Sequence, residues 1–440
     1  MNATVKPLFF ILTIAILLVG YSFLSERFKF SLSNGTHFLS DVTVEKDRPR
    51  LASAKRSVPL PRTTDSAGAI PYRDYLTYNG IITYEAGRKF ALSKFIAALK
   101  DLKAGKRKKV RVAYFGDSVI EGDLITEDFR GMLQDSFGGN GVGFVPITSV
   151  VSVFRQTVMH SYSSHWTDQT FLASPRAALF LSGHVFFPDS SCTVQYGAVP
   201  RPHLGRFAQA HLLYGNSSRP LTLTVNGSRL TLPATELCNK AAVAENCTLV
   251  KLKEVTATPL YGFSFEDSTG VYVDNFAFRG SSGMDLGNLK TAFLKQIRQV
   301  QDYDLIVFQY GPNLFTPKAN DFSWYEKPML AVVEKFKTAF PDASLLVVST
   351  ADKAYRYNGT WESAVGVEPL LEAQNNFAAT AGINLWNLYR AMGGRNSIVN
   401  WVEGDTAFAR KDYTHFTYKG AERIAAMLFN AVMKEYALAN

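Results

Sequence analysis

The chain has 440 residues, 47 % of them hydrophobic and 19 % charged, a balance that excludes a wholly disordered polymer and a multi-span membrane protein. Its formal charge of +9 is lopsided: residues 1–109 carry 19 basic and 8 acidic side chains, whereas the remaining 331 carry 28 and 30. The basic surplus therefore sits in the N-terminal arm, including Lys106-Arg107-Lys108-Lys109. It suits a solvated tail or attraction to anionic lipid or an acidic polymer, and without a recognised binding motif it gives no reason to expect a nucleic-acid partner.

The first element in chain order is Pro7 to Leu24, PLFFILTIAILLVGYSFL, 18 residues without a charge. At ~1.5 Å per residue this is long enough to cross a bilayer. Two readings stay open for residues 1–24, an uncleaved signal anchor and a cleaved signal peptide. The absence of an A-x-A site after the apolar run favours the anchor. Either reading exports the bulk of the chain, and the anchor makes the membrane a partner through the N-terminal segment.

Residues 25–75 mix Ser, Thr, Pro and Arg without periodicity and read as a linker. Leu92, Phe95, Ile96, Leu99 and Leu102 then fall at helical spacing, with Gly105 closing the helix. Val110 to Phe115 reads as a buried strand, and Leu124 to Leu133 as a second helix that stops near Gly138. From about 146 to 275 the helical period disappears. LTLTV, Asn226-Gly227 and the alternating run through Leu232 predict a hairpin on a two-residue turn, and FSFEDSTGVYV suggests another. From 276 onward strands alternate with helices again: Asp304 to Tyr310, Ser344 to Thr350 and INLWNL as strands, Tyr325 to Phe340, Glu368 to Thr380 and Gly420 to Tyr436 as helices. This order predicts an α/β domain over 76–145 and 276–440, a parallel sheet covered on both faces, interrupted by an inserted β-sandwich over 146–275.

The cysteines are sparse. Cys238 and Cys247 are candidates for a disulfide in an exported chain, the alternative being two unrelated thiols. No C-x-x-C pair is present, and no structural metal site is expected. Asp117, Glu121, Asp123 and Glu127 match no metal-binding loop and read as a solvated helix start, where acids suit the dipole. His160, His165, Trp166, Tyr196 and Tyr214 of the insert read mainly as core or surface residues, with sugar contact as the alternative.

Four motifs lie where an open α/β sheet gathers its active groups, beyond the carboxyl ends of the strands. Gly116-Asp117-Ser118 follows the first strand, FRGSSG with Gly280 follows the insert, Gly311-Pro312-Asn313 follows the strand from Asp304, and Asp412-x-x-His415 precedes the last helix. A serine hydroxyl needs a base to become a nucleophile, histidine is suited to that task near neutral pH, and an acid three residues earlier can hold the imidazole in the correct tautomer. Backbone N–H groups and an Asn amide are suitable donors for an oxyanion.

In this order the motifs resemble the SGNH (GDSL-type) hydrolases over the α/β halves, about half the chain. The longer string GDSVIEGDLITEDFRGMLQDSFGGNGVGFVP is similar to exported bacterial enzymes that remove O-acetyl groups from peptidoglycan and carry a β-sandwich, like a carbohydrate-binding module, between the first two motifs. The resemblance implies a flavodoxin-like three-layer fold with Ser118 as nucleophile, His415 as base and Asp412 orienting it. It implies an oxyanion hole from the Ser118 N–H, the Gly280 N–H and the Asn313 amide, and a metal- and cofactor-free reaction. It further implies an O-acetylated polysaccharide (peptidoglycan or an exopolysaccharide) as partner and a periplasmic or cell-envelope location. Leu314 stands where many members have Asp, and Val119 where close relatives often have His. An O-acetyltransferase using the same triad and a non-catalytic, membrane-tethered glycan-binding protein remain the alternatives.

Overall fold

The computed structural model describes residues 74–172 and 178–439; the apolar segment 7–24 and most of the linker lie outside them. Six strands form the central sheet: β1 (Ile81–Thr83), β2 (Lys109–Gly116), β3 (Gly270–Ala277), β4 (Leu305–Gln309), β5 (Ser344–Val348) and β6 (Asn384–Trp386). Their spatial order is β1-β6-β5-β4-β2-β3. All neighbours are parallel except β1, which pairs antiparallel with β6. Leaving β1 aside, this is the flavodoxin-like order, and its topological switch point lies where β2 meets β4.

Continuous apolar strands are what a sheet covered on both faces requires. Alternate residues of β2 serve opposite layers. Val110, Val112 and Tyr114 pack with helices α1 (Ser93–Lys103), α2 (Thr126–Phe137) and α6 (Tyr418–Leu438). Ala113 and Phe115 pack with α3 (Thr291–Val300), α4 (Ser323–Ala339) and α5 (Val367–Ala381). Phe115 is fully buried and meets the rings of Phe276, Phe308 and Phe336 at 5.2, 5.7 and 5.2 Å between centroids. Such a cluster makes its truncation to Ala worth about 3–5 kcal/mol.

The chain between α2 and β3 builds two antiparallel sheets of five and six strands, closed over a core that includes Val145, Tyr196, Leu212, Leu223, Val250 and Phe263. The predicted Asn226-Gly227 hairpin is present, with Leu221–Val225 paired to Ser228–Leu232 and φ of +50° and +87° at its turn. Two boundaries differ from the expectation. Gly143–Pro146 already pairs with Leu260–Glu266 of the sandwich. FSFEDSTGVYV is no hairpin: Leu260–Glu266 stays in the sandwich, whereas Gly270–Ala277 leaves it to become β3, parallel to β2 along its whole length. A local apolar–turn–apolar pattern carries no information about which sheet its second arm joins.

The expected Cys238–Cys247 bridge is absent; both thiols are free, as is that of Cys192. The intervening residues Asn239–Cys247 form a nine-residue strand. At ~3.3 Å per residue that strand holds its two ends more than ~25 Å apart, far beyond disulfide reach.

Insert and sheet are joined by a buried ion network. Arg111 of β2, only 4 % exposed, pairs with Asp274 of β3 and Glu266 of the sandwich. Glu266 also meets Lys109, Lys240 and His211. Burial alone would raise the Glu266 carboxyl, but Arg111 and its other partners outweigh it and hold Glu266 well below the usual carboxylate range. Asp274 also accepts from the Phe144 N–H, Gln301 and Tyr303. The sandwich is thereby fixed to the strand that leads into Ser118.

Candidate active site

The turn after β2 begins at Gly116, where a Cβ would come within 2.8 Å of Ile120 and 3.1 Å of the Gln309 carbonyl. A side chain there would press on both, so glycine suits a position where β2 and β4 stay paired up to their ends while the chain turns away. Ser118 follows, at the switch point. Its Oγ lies 2.9 Å from His415 Nε2. His415 Nδ1 lies 2.8 Å from Asp412 Oδ2, and Asp412 also accepts the backbone N–H groups of Thr414 and His415, both at 3.0 Å. Burial works to raise the Asp412 carboxyl, but these hydrogen bonds overcome it and keep it below its ordinary range. The ionised Asp412 fixes the proton on Nδ1 and leaves the Nε2 lone pair facing the serine. Thr417, whose hydroxyl accepts the Gly420 N–H, caps α6 and ends the His415 segment.

Asp117, absent from the predicted roles and expected on a solvated helix start, is instead fully buried. It accepts from the Val119 N–H at 2.9 Å and from Asn313 Nδ2 at 3.0 Å. Burial pushes its carboxyl up to about 6, against the opposing effect of the Val119 N–H, His415 and Asn313. Asn313, in the short turn Pro312–Leu314 after β4, donates a second hydrogen bond from Nδ2 to the Ser281 carbonyl at 3.0 Å. The Asn313 amide is therefore tied to the nucleophile turn on one side and to the FRGSSG loop on the other. Gly280 is exposed with φ +80°, and the following N–H, of Ser281, donates back to Phe278. The positive φ closes this turn at no steric cost, as glycine alone permits readily.

Asp123 also departs from the solvated reading. It is buried and bonded to Thr126, Arg130, Arg155 and Thr157. Burial is outweighed by Arg130 and Arg155, and the carboxyl is held down to about 2. This network fixes two positive φ angles, at Asp123 and at the β-branched Ile125, a conformation such residues rarely adopt. The loop after Ser118 is thus tied down through Asp123, in part by Arg155 and Thr157 of the insert's first segment.

Trp166, Tyr196 and Tyr214 of the insert are core. Tyr196 is fully buried and stacked on His160 at 4.7 Å, and Trp166 donates to the Thr193 carbonyl. Burial pushes His160 down to about 4. Among the described residues no group of three or more His, Cys, Asp or Glu could hold a metal ion, and no helix is long and apolar enough to cross a membrane.

Sheet order and the two covering helix layers give a flavodoxin-like α/β fold, with Ser118 and the bonded imidazole of His415 at its switch point. Among solved structures, a peptidoglycan O-acetylesterase matches with 20 % sequence identity and a TM-score of 0.69, covering 81 % of this chain and 99 % of that one. A family two carbohydrate esterase from Cellvibrio japonicus and the salicylyl-acyltransferase of a tetracycline biosynthetic pathway match at 9 % and 12 % identity. Each covers 64 % of this chain, and 100 % and 98 % of theirs, at a TM-score of only 0.28. No protein-family model and no curated protein matches the chain.

Proposed function

We propose that this protein is a serine esterase that removes O-acetyl groups from a cell-envelope polysaccharide, with peptidoglycan as the favoured glycan. The observation that carries the proposal is the hydrogen-bonded line from Ser118 through His415 to Asp412. The fold shared with a peptidoglycan O-acetylesterase supports the choice of substrate class.

In this reading Ser118 Oγ attacks the acetyl carbonyl while His415 Nε2 takes its proton. The Asp412 carboxylate stabilises the imidazolium without accepting the proton itself. Negative charge that develops on the carbonyl oxygen is met by the backbone N–H groups of Ser118 and Gly280 and by the Asn313 amide, which exchanges its Ser281 carbonyl for the oxyanion. The imidazolium returns its proton to the departing sugar oxygen and leaves an acetyl ester on Ser118. Water, deprotonated by the same nitrogen, then attacks the acetyl carbon; the bond to Ser118 Oγ breaks, the imidazolium returns the proton to Oγ, and acetate leaves. The charge-free Pro7–Leu24 segment supports an exported, membrane-anchored enzyme working at the cell envelope.

The test is acetate release from an aryl acetate and from O-acetylated peptidoglycan. Ser118→Ala and His415→Ala are expected to lower kcat by roughly three powers of ten or more, with a residual rate from oxyanion stabilisation. Parent-like turnover by Ser118→Ala would end the proposal.

A further inference from the structure

Apart from the main sheets stands a two-stranded hairpin, Ala354–Tyr357 paired with Thr360–Ser363, turned at Asn358 and Gly359 with φ of +49° and +86°. Alternate side chains of a strand share one face, and here Tyr355 and Tyr357, with Lys353 just before the strand, converge on a single segment. Lys353 Nζ donates to the Pro312 carbonyl at 3.1 Å, Tyr355 Oη to the Phe315 carbonyl at 2.8 Å, and Tyr357 Oη to the Pro317 carbonyl at 2.9 Å. Asn313 lies within the segment so held. It belongs to a three-residue turn closed by the Leu314 N–H donating to the Gly311 carbonyl at 2.9 Å, and the hairpin's three hydrogen bonds fix where that turn sits.

The same hairpin grips the other half of the site. Trp361 stacks on Tyr413 with 3.9 Å between centroids and 15° between planes, and the Ala354 N–H donates to the Tyr413 carbonyl at 3.2 Å. Tyr413 lies between Asp412 and His415 and has φ +53°, a left-handed conformation unfavourable for an aromatic residue. The stack and a hydrogen bond from Tyr413 Oη to Glu403 at 2.8 Å hold it there. The hairpin's base is fixed in turn by reciprocal bonds between Ser363 and Asn396.

We propose that this hairpin is the positioning element of the site, setting the Asn313 amide and the Asp412–His415 pair in register with each other. The inference rests on the catalytic reading above. Tyr355, Tyr357 and Trp361 are positioning residues that act through Asn313 and through the backbone of Tyr413.

The experiment uses the full chain and measures kcat, KM and thermal unfolding for Tyr355→Phe/Tyr357→Phe, Trp361→Ala and Trp361→Phe. The paired Phe variant removes two hydroxyls and little packing. Its kcat is expected to fall about tenfold, since small displacements of catalytic groups are costly, with KM and the unfolding temperature near those of the parent. In an Asn313→Ala background the same pair should change kcat by no more than about twofold, because the route through the amide is already gone. Trp361→Ala should lose about tenfold in kcat and Trp361→Phe should recover most of it. An unchanged kcat in the paired variant, an equal loss in the Asn313→Ala background, or a rise in KM alone would overturn the proposal. If the Trp361 variants do not fold, the tyrosine pair decides. A dead Ser118→Ala beside unaffected hairpin variants defeats the hairpin alone; an active Ser118→Ala defeats the catalytic reading itself.

Discussion

Asp117→Asn separates stability from catalysis at one buried atom pair. An aspartate in an unfolded chain titrates near ~3.9, whereas burial pushes Asp117 up to about 6. The folded state thus binds this proton more tightly than the unfolded chain does. The stability it lends is full below pH ~4 and is lost as pH rises through about 6. A gap of about two units, integrated from pH 4 to pH 7, amounts to ~2 kcal/mol. The parent should therefore lose ~2 kcal/mol more than Asp117→Asn over that interval, and taking the difference between the two pH values cancels any pH-independent loss of hydrogen bonding in the variant. Urea unfolding at the two pH values measures it. Turnover should move the other way at pH 7. The new amide has one accepting oxygen for two donors, the Val119 N–H and Asn313 Nδ2, so one of these contacts is lost or must rearrange, and kcat is expected to fall by about ten- to a hundredfold. Parallel stability curves for the two proteins would refute the reasoning about burial, and unchanged turnover would refute the role given to the Asp117–Asn313 contact.

Arg111→Met takes from the buried Asp274 its cationic partner and from Glu266 one of several, and should cost about 3–5 kcal/mol in urea unfolding; a loss under ~1 kcal/mol would show that the buried network does not join insert to sheet. Glu127, pushed up to about 7 by burial and by Asp123 and Asp128, and Asp128, pushed up to about 6 by burial and by Glu422 of α6, both lend stability that is lost as pH rises through those values. Glu127→Gln should therefore flatten the parent's decline in unfolding temperature between pH 6 and 8. With all three thiols free, a reducing agent should leave the unfolding temperature of the folded domain unchanged, and a clear drop would contradict the free pairing.

Much of the α/β frame was legible because its signals are local: apolar runs at Val110 to Phe115 and Asp304 to Tyr310, helical spacing from Leu92 to Leu102, and Asn226-Gly227 between alternating arms. The four motifs could be ordered along the chain for the same reason. What the sequence hid was partnership. Gly270–Ala277 reads as the second arm of a hairpin, yet its hydrogen bonds go to a strand more than a hundred residues earlier. Asp117 and Asp123 read as solvated acids because their buried partners Asn313, Arg130 and Arg155 are displaced in sequence. The hairpin at Ala354–Ser363 was within reach, since Asn358-Gly359 between AYRY and TWES repeats the signal that revealed the Asn226-Gly227 turn. Its role was not, because nothing in AYRYNGTWES points to the carbonyls of Pro312, Phe315 and Pro317.

The central claim is that one hydroxyl carries the acetyl group between glycan and water. Peptide mass spectrometry of protein quenched during turnover of an acetyl ester tests it most directly. A single acetyl adduct on Ser118 is expected, absent in Ser118→Ala and discharged to acetate on further incubation. Turnover with an unmodified Ser118, or an adduct on another residue that survives in Ser118→Ala, would contradict it.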